Sequence, residues 1–148
     1  MHFLNRLCRE ARGSVVVETA IALPLLALLM LGALDVSRMV ARQVDLQEVA
    51  AEIAAASMAK EPGDAGLIAL AHLARASGQL SEDQVVLERK IKCGTEETLQ
   101  SDGHDCDEDV EKSTFVTISL NDSYVPLWTS FGIGGPVELG VFRSVQVK

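Results

Sequence analysis

Apolar and polar residues follow three successive patterns along this chain. From Ser14 to Leu34 (SVVVETAIALPLLALLMLGAL) it is apolar on every side of a helix, and Glu18 is the only charge. At about 1.5 Å rise per residue such a helix covers roughly 30 Å, the thickness of a hydrocarbon core, so a transmembrane helix is predicted over 14–34. From Asp35 to Met58 the pattern becomes one-sided. Val36, Met39, Leu46, Val49, Ile53 and Ala56 fall at steps of three, four or seven, and Asp35, Arg38, Arg42, Asp45, Glu48 and Glu52 supply the polar remainder. No proline or glycine interrupts this stretch. The membrane helix is therefore predicted to run on over 35–59 as an amphipathic rod, roughly 70 Å long in all. Lys60-Glu61-Pro62-Gly63 ends it, because proline and glycine together do not continue a helix.

The third pattern fills 60–148. A second, shorter helix is predicted with Asp64 as N-cap, Leu67, Leu70, Ala71 and Ala74 as its apolar face and Gly78 as its stop, leaving His72 and Arg75 at the exposed side. Val85 to Lys92 reads as a strand, and Gly94 to Lys112 as a polar, acidic loop. In Ser113 to Leu120, Val116, Ile118 and Leu120 alternate with Phe115, Thr117 and Ser119, the period of a half-buried strand. Tyr124 to Pro136 is a connection containing Trp128 and Phe131, whose rings are expected to pack on the sheet. Val137 to Val147 is the last strand. The fold class is α+β: a long N-terminal helix, then a small head with a short helix and a roughly three-stranded antiparallel sheet.

Charge fixes the expected orientation. Arg6, Arg9 and Arg12 precede the span against one acid, Glu10, which places the N-terminus in the cytoplasm and the head outside. A secretory signal peptide also begins with a charged stretch and an apolar run, but this run exceeds the roughly 7 to 15 residues usual there, and no A-x-A site closes it. A net charge of -8 and a pI near 4.8 argue against a nucleic-acid partner and against docking on anionic headgroups. With 148 residues the chain has room for one small head and not for a multi-domain enzyme.

Candidate chemistry is sparse. Cys93 and Cys106 lie in the outward part and Cys8 ahead of the span, so the expected pairing is a Cys93–Cys106 disulfide in an oxidising compartment, with Cys8 a reduced thiol. Zinc competes for the cysteines, but Cys93, Cys106 and His104 lack a second close pair of ligands. Asp102, Asp105, Asp107, Glu108 and Asp109 suggest calcium, yet their spacing departs from a calcium loop and reads as a solvated acidic run. No nucleophile elbow, phosphate loop or zinc-protease motif occurs, so neither an enzyme nor a cofactor is expected.

The segment R-G-S-V-V-V-E-T-A-I-A-L-P-L-L, Arg12 to Leu26, resembles the start of type IV prepilin-like proteins, most closely the TadE/TadF-like minor pseudopilins of tight adherence (Flp-type) pili. In that family a basic leader ends in Gly, a prepilin peptidase cuts after it, and Glu stands fifth in the mature chain. Gly13, Ser14 and Glu18 occupy those positions here. Pro24 with its following leucines, Arg42-Gln43 and a cysteine near Cys93 also resemble the family. Thr19 stands where Phe or Tyr often follows the Glu.

The resemblance implies a cleaved cytoplasmic leader over 1–13 and an inner-membrane location with a periplasmic head. Its implied partners are prepilin peptidase and other pilins or pseudopilins, the latter met through the N-terminal helix. Glu18 and Pro24 would be subunit contacts in the membrane: a carboxylate in an apolar span is a natural partner for the α-amine that cleavage creates on a neighbouring Ser14, and Pro24 frees a backbone carbonyl and softens the helix. The expected function is that of a minor pseudopilin aiding pilus initiation, assembly or adhesion. The alternative is an uncleaved single-pass protein whose head binds a periplasmic partner.

Overall fold

A computed structural model describes residues 11–95, 98–107 and 109–147, with side chains from Val15 onward. Helix α1 runs unbroken from Ala11 to Ala59, through Pro24. Helix α2 covers Asp64–Gly78. A 3-10 turn over Glu82–Gln84 leads into β1 (Val85–Cys93), followed by β2 (Gln100–Ser101), β3 (Lys112–Tyr124), a second 3-10 turn over Leu127–Phe131, and β4 (Val137–Gln146). The strands form one antiparallel sheet in the order β2-β1-β3-β4. The α+β class stands. The sheet gains β2, two residues inside the acidic loop, which lie opposite Lys90 and Ile91 and are too short to leave a period in the sequence.

Both helices cover the same face of the sheet. Leu46, Val49, Ala50, Ile53 and Ala54 of α1 and Ala74 of α2 share one core with Val85, Val116, Ile118, Leu120 and Leu139. The register explains which residues turn inward, since Val85, Leu87 and Arg89 lie opposite Leu120, Ile118 and Val116, and Leu120 lies opposite Val141. Directly paired residues share a face, so strict alternation puts Val86 and Phe142 on the other side, where both are exposed.

Three details of the helices differ from expectation. Val36 is exposed and Asp35 is buried, so the inward stripe of α1 passes through 35, 39, 42, 46, 49, 53 and 57. The N-cap of α2 is Gly63, and Asp64 begins the helix with its carboxylate turned to Arg89. At its other end Gly78 is the last helical residue, buried where a Cβ would press on Leu80. The left-handed cap is Gln79, at φ 52°.

Arg89 is the polar staple of the head. Its guanidinium reaches the carbonyl of Pro62 at 3.2 Å, Asp64 at 3.2 Å and Asp102 at 2.6 Å, joining the α1–α2 turn, α2 and the acidic loop. The hydrogen bond to Asp102 holds the Arg89 pKa above its ordinary value and that of Asp102 below. One of the acids considered for calcium is thus engaged with an arginine, and the described residues contain no group of three or more ligands suited to a metal. Cys93 and Cys106 form a disulfide with 5.6 Å between their Cα atoms, tying the end of β1 to the same loop. Cys8, Arg6, Arg9, Glu10 and Glu108 lie outside the described residues.

Two outcomes follow. Leu46→Ala removes a fully buried side chain between α1 and the sheet and should destabilise the head by about 2–5 kcal/mol in denaturant titration, whereas Val36→Ala should be nearly silent. Thiol labelling of the unreduced protein should leave Cys93 and Cys106 unmodified. Reduction, which opens a loop with a sequence separation of 13, should cost on the order of 3 kcal/mol.

Candidate functional site

The N-terminal half of α1 stands apart from the head. Val15, Val16, Val17, Ile21, Leu23, Leu25, Leu26, Leu29 and Met30 are all exposed along it. A helix so apolar and so bare is long enough to cross a membrane, with a mean hydropathy of 2.3 in its most apolar window. Gly13 and Ser14 lie in the first turns of the same helix. Glu18 is exposed one turn further on, and the hydroxyl of the adjacent Thr19 donates back to the Val15 carbonyl at 2.7 Å. That bond ties the Thr19 hydroxyl to its own helix, and the described side chains around Glu18 are otherwise apolar. Pro24 is likewise exposed, and the helix accommodates it without a break.

Where the bare segment meets the head, polar side chains replace apolar packing. Asp35 is almost fully buried and its carboxylate accepts from the Tyr124 hydroxyl at 3.2 Å and from the backbone N–H of Leu127 at 2.5 Å. Burial first, and then the Asp35 carboxylate, pushes the Tyr124 pKa up, which keeps the phenol a donor. Two turns along, the Arg42 guanidinium meets Asp122 at 2.6 Å, and the Asp122 carboxylate also accepts from Gln84 and from the Ser123 N–H, each at 2.9 Å. Gln43 donates to the Gly140 carbonyl at 3.0 Å. Three polar residues of α1 therefore hold the end of β3, the start of β4 and the turn between them.

That turn is built locally. Pro126 precedes the 3-10 segment, Thr129 Oγ1 donates to the Pro126 carbonyl at 2.7 Å, and Gly132 ends the segment in the left-handed region at φ 75°. Its aromatics do not pack on the sheet as the sequence suggested. Trp128 and Phe131, with Leu127 and Ile133, face Leu28, Leu31 and Gly32 of α1 across an open apolar groove of about 560 Å³. The reason is Asp35, which holds the turn's backbone against the helix.

Of the residues singled out beforehand, the structure brings Cys93 and Cys106 together, while Gly13, Ser14, Glu18 and Pro24 stay together only as neighbours on one bare helix. Sequence reading assigned Asp35 and Arg42 to the solvated side. A signal for their true place was present: they are seven apart and in phase with Met39, Leu46, Val49 and Ile53.

The Arg42–Asp122 pair predicts an acid limb. Partial burial alone would raise the Asp122 pKa, but hydrogen bonds from Arg42, the Ser123 N–H and Gln84 outweigh it and hold the pKa below the ordinary carboxylate value. A carboxyl depressed in the folded state contributes stability that is present above its unfolded pKa and lost as pH falls through the folded value. The denaturation midpoint of the full chain should therefore fall as pH drops below about 5, and Asp122→Asn should flatten that limb while lowering stability at neutral pH.

Compared with known families, residues 13–55 match the one described as TadE-like protein. No curated protein and no solved structure matches the chain. The matched segment opens on Gly13, takes in Glu18, Pro24, Asp35, Arg42 and Gln43, and stops before the end of α1, so the head lies outside it. Over that segment, most of the long helix, the chain is similar to TadE-like proteins.

Proposed function

We propose that this chain is a minor pseudopilin of a Tad (Flp-type) pilus, made as a prepilin, cut between Gly13 and Ser14, and held in the inner membrane with its head in the periplasm. The observation that carries this reading is a coincidence of three features at one point: the TadE-like match begins at Gly13, Glu18 stands fifth after it, and the helix that follows is bare and apolar for its whole first half. The function is structural. The head offers a disulfide and a packed core, and the exposed helix offers the surface through which subunits associate in pilus initiation, assembly or adhesion.

Glu18 has a definite role in this reading. An acidic charge at mid-membrane costs roughly 2.5–3.5 kcal/mol, and the cost falls toward the interface. Pairing with the α-amine of a neighbouring processed Ser14 offsets it, because a medium of low dielectric strengthens the attraction and equally penalises either charge left alone. Pro24 leaves one carbonyl of the span without its helical N–H, a soft point when the helix moves from bilayer to fibre.

Mass spectrometry of the membrane-extracted protein should find a chain beginning at Ser14. Because the leader carries a net charge of +2, processing takes the formal charge from -8 to -10. Gly13→Leu should leave full-length protein, and ordinary processing of that variant by the same peptidase would refute Gly13 as the cleavage site, whereas a wild-type chain that keeps residues 1–13 would favour an uncleaved single-pass protein. Glu18→Ala should still insert and be cut, but lose crosslinks along the Ser14–Leu34 helix and fail to assemble. Unchanged crosslinks and normal pili would show Glu18 to be a tolerated interfacial acid.

A further inference from the structure

The turn between β3 and β4 has a property that neither pilus assembly nor head stability requires. From Val125 to Val137 the sequence is VPLWTSFGIGGPV, with no charged residue, and its large side chains point away from the head: Val125 is 63% exposed, Phe131 69% and Ile133 64%. Such a run would be a liability if it faced water. Its position on α1 resolves the matter. Leu28, Leu31 and Gly32, which form the other wall of the groove, belong to the apolar run that ends at Leu34. The turn hangs from Asp35, the first charge beyond that run, by the Leu127 N–H and the Tyr124 hydroxyl.

We infer that the Val125–Val137 turn is a second membrane contact, a foot that dips into the outer face of the bilayer crossed by α1, with lipid acyl chains filling the groove between Trp128, Phe131 and Leu28. This rests on the membrane-span reading of α1. From Asp35 back to Leu28 is seven residues, about 10 Å along a helix. If the apolar run marks the hydrocarbon core, the foot reaches the same depth of roughly 5–10 Å at which interfacial anchors lie. Trp128, with an apolar ring and one N–H donor, is the aromatic residue favoured at that level. The occupant is lipid and not a soluble partner because one wall of the groove, Leu28, Leu31 and Gly32, belongs to the apolar run of the span itself, and the turn that forms the other wall carries no charge. The turn carries no charge, so its contact needs no anionic headgroup. One consequence is mechanical: with α1 and the foot both seated, the head is fixed in height and rotation above the membrane, and leaving the bilayer means extracting two apolar elements and not one.

Trp128 is the only tryptophan and reports the foot without a label. The full chain is placed at one copy per disc in phosphatidylcholine nanodiscs with plain or brominated acyl chains, alongside a control carrying Trp128→Phe and Leu28→Trp. Emission from Trp128 should be blue-shifted, lose intensity in brominated lipid and resist quenching by aqueous iodide. The double variant Phe131→Ser, Ile133→Ser changes only exposed side chains and should shift that emission to the red and admit iodide. If the Leu28→Trp control is quenched by bromine while Trp128 is not and is open to iodide, the foot does not touch lipid and the inference is overturned. A control equally indifferent to bromine removes the span and the foot together.

Discussion

One continuous helix has to satisfy two surroundings, and everything else in the molecule follows from how it does so. Along its first half α1 is apolar on all sides, as a segment must be when no water is available to any of its faces. Along its second half only one stripe can be apolar, because the opposite side is wet. The head exists on that stripe: Leu46, Val49, Ala50 and Ile53 form the floor on which the sheet packs, and without them Val116, Ile118 and Leu120 would have nothing to bury against. A four-stranded sheet with one exposed face and a single short helix is too thin to supply a core alone.

The join between the two regimes is held by directional bonds. Apolar packing is tolerant of small sliding, whereas a carboxylate with two donors is not, so Asp35 and Arg42 set the register of the head on the helix to within a hydrogen bond's tolerance. Both carboxylates, Asp35 and Asp122, sit beside donors that satisfy them, as partly buried acids require. At the far end of the head the same need is met by Arg89 and by the Cys93–Cys106 bridge, which hold an acidic loop that its own composition would leave spread in solvent. The head is thus tethered at both ends and packed in the middle.

This architecture suits a subunit that acts through its helix. Glu18 and Pro24 stand in the bare half, well away from the head's core, so under the proposed function changes there would alter association without disturbing the fold. The inferred foot would work in the opposite sense, since it would tie the position of the head to the bilayer. A subunit with both features carries its assembly surface and its membrane seat on one rigid axis.

Much of this was legible in the residues themselves. The all-round apolar run, the one-sided stripe after it, the Pro62-Gly63 stop and the alternation in β3 each leave a period or a break that local chemistry imposes, and the spacing of Gly13 and Glu18 is a property of the chain alone. Residues in contact across long separations left no such mark. Asp35 reads as solvated until Tyr124 and Leu127 are brought to it, β2 is a strand only because β1 offers its edge, and Gly78 reads as a left-handed stop until Leu80 is seen to need its missing side chain. The turn around Trp128 is the clearest case. Its composition determined that it is apolar and uncharged, but whether it faces the sheet or the span depended on one buried carboxylate ninety-two residues before it. Periodicity fixes which face of an element is apolar, and only tertiary structure decides what that face meets.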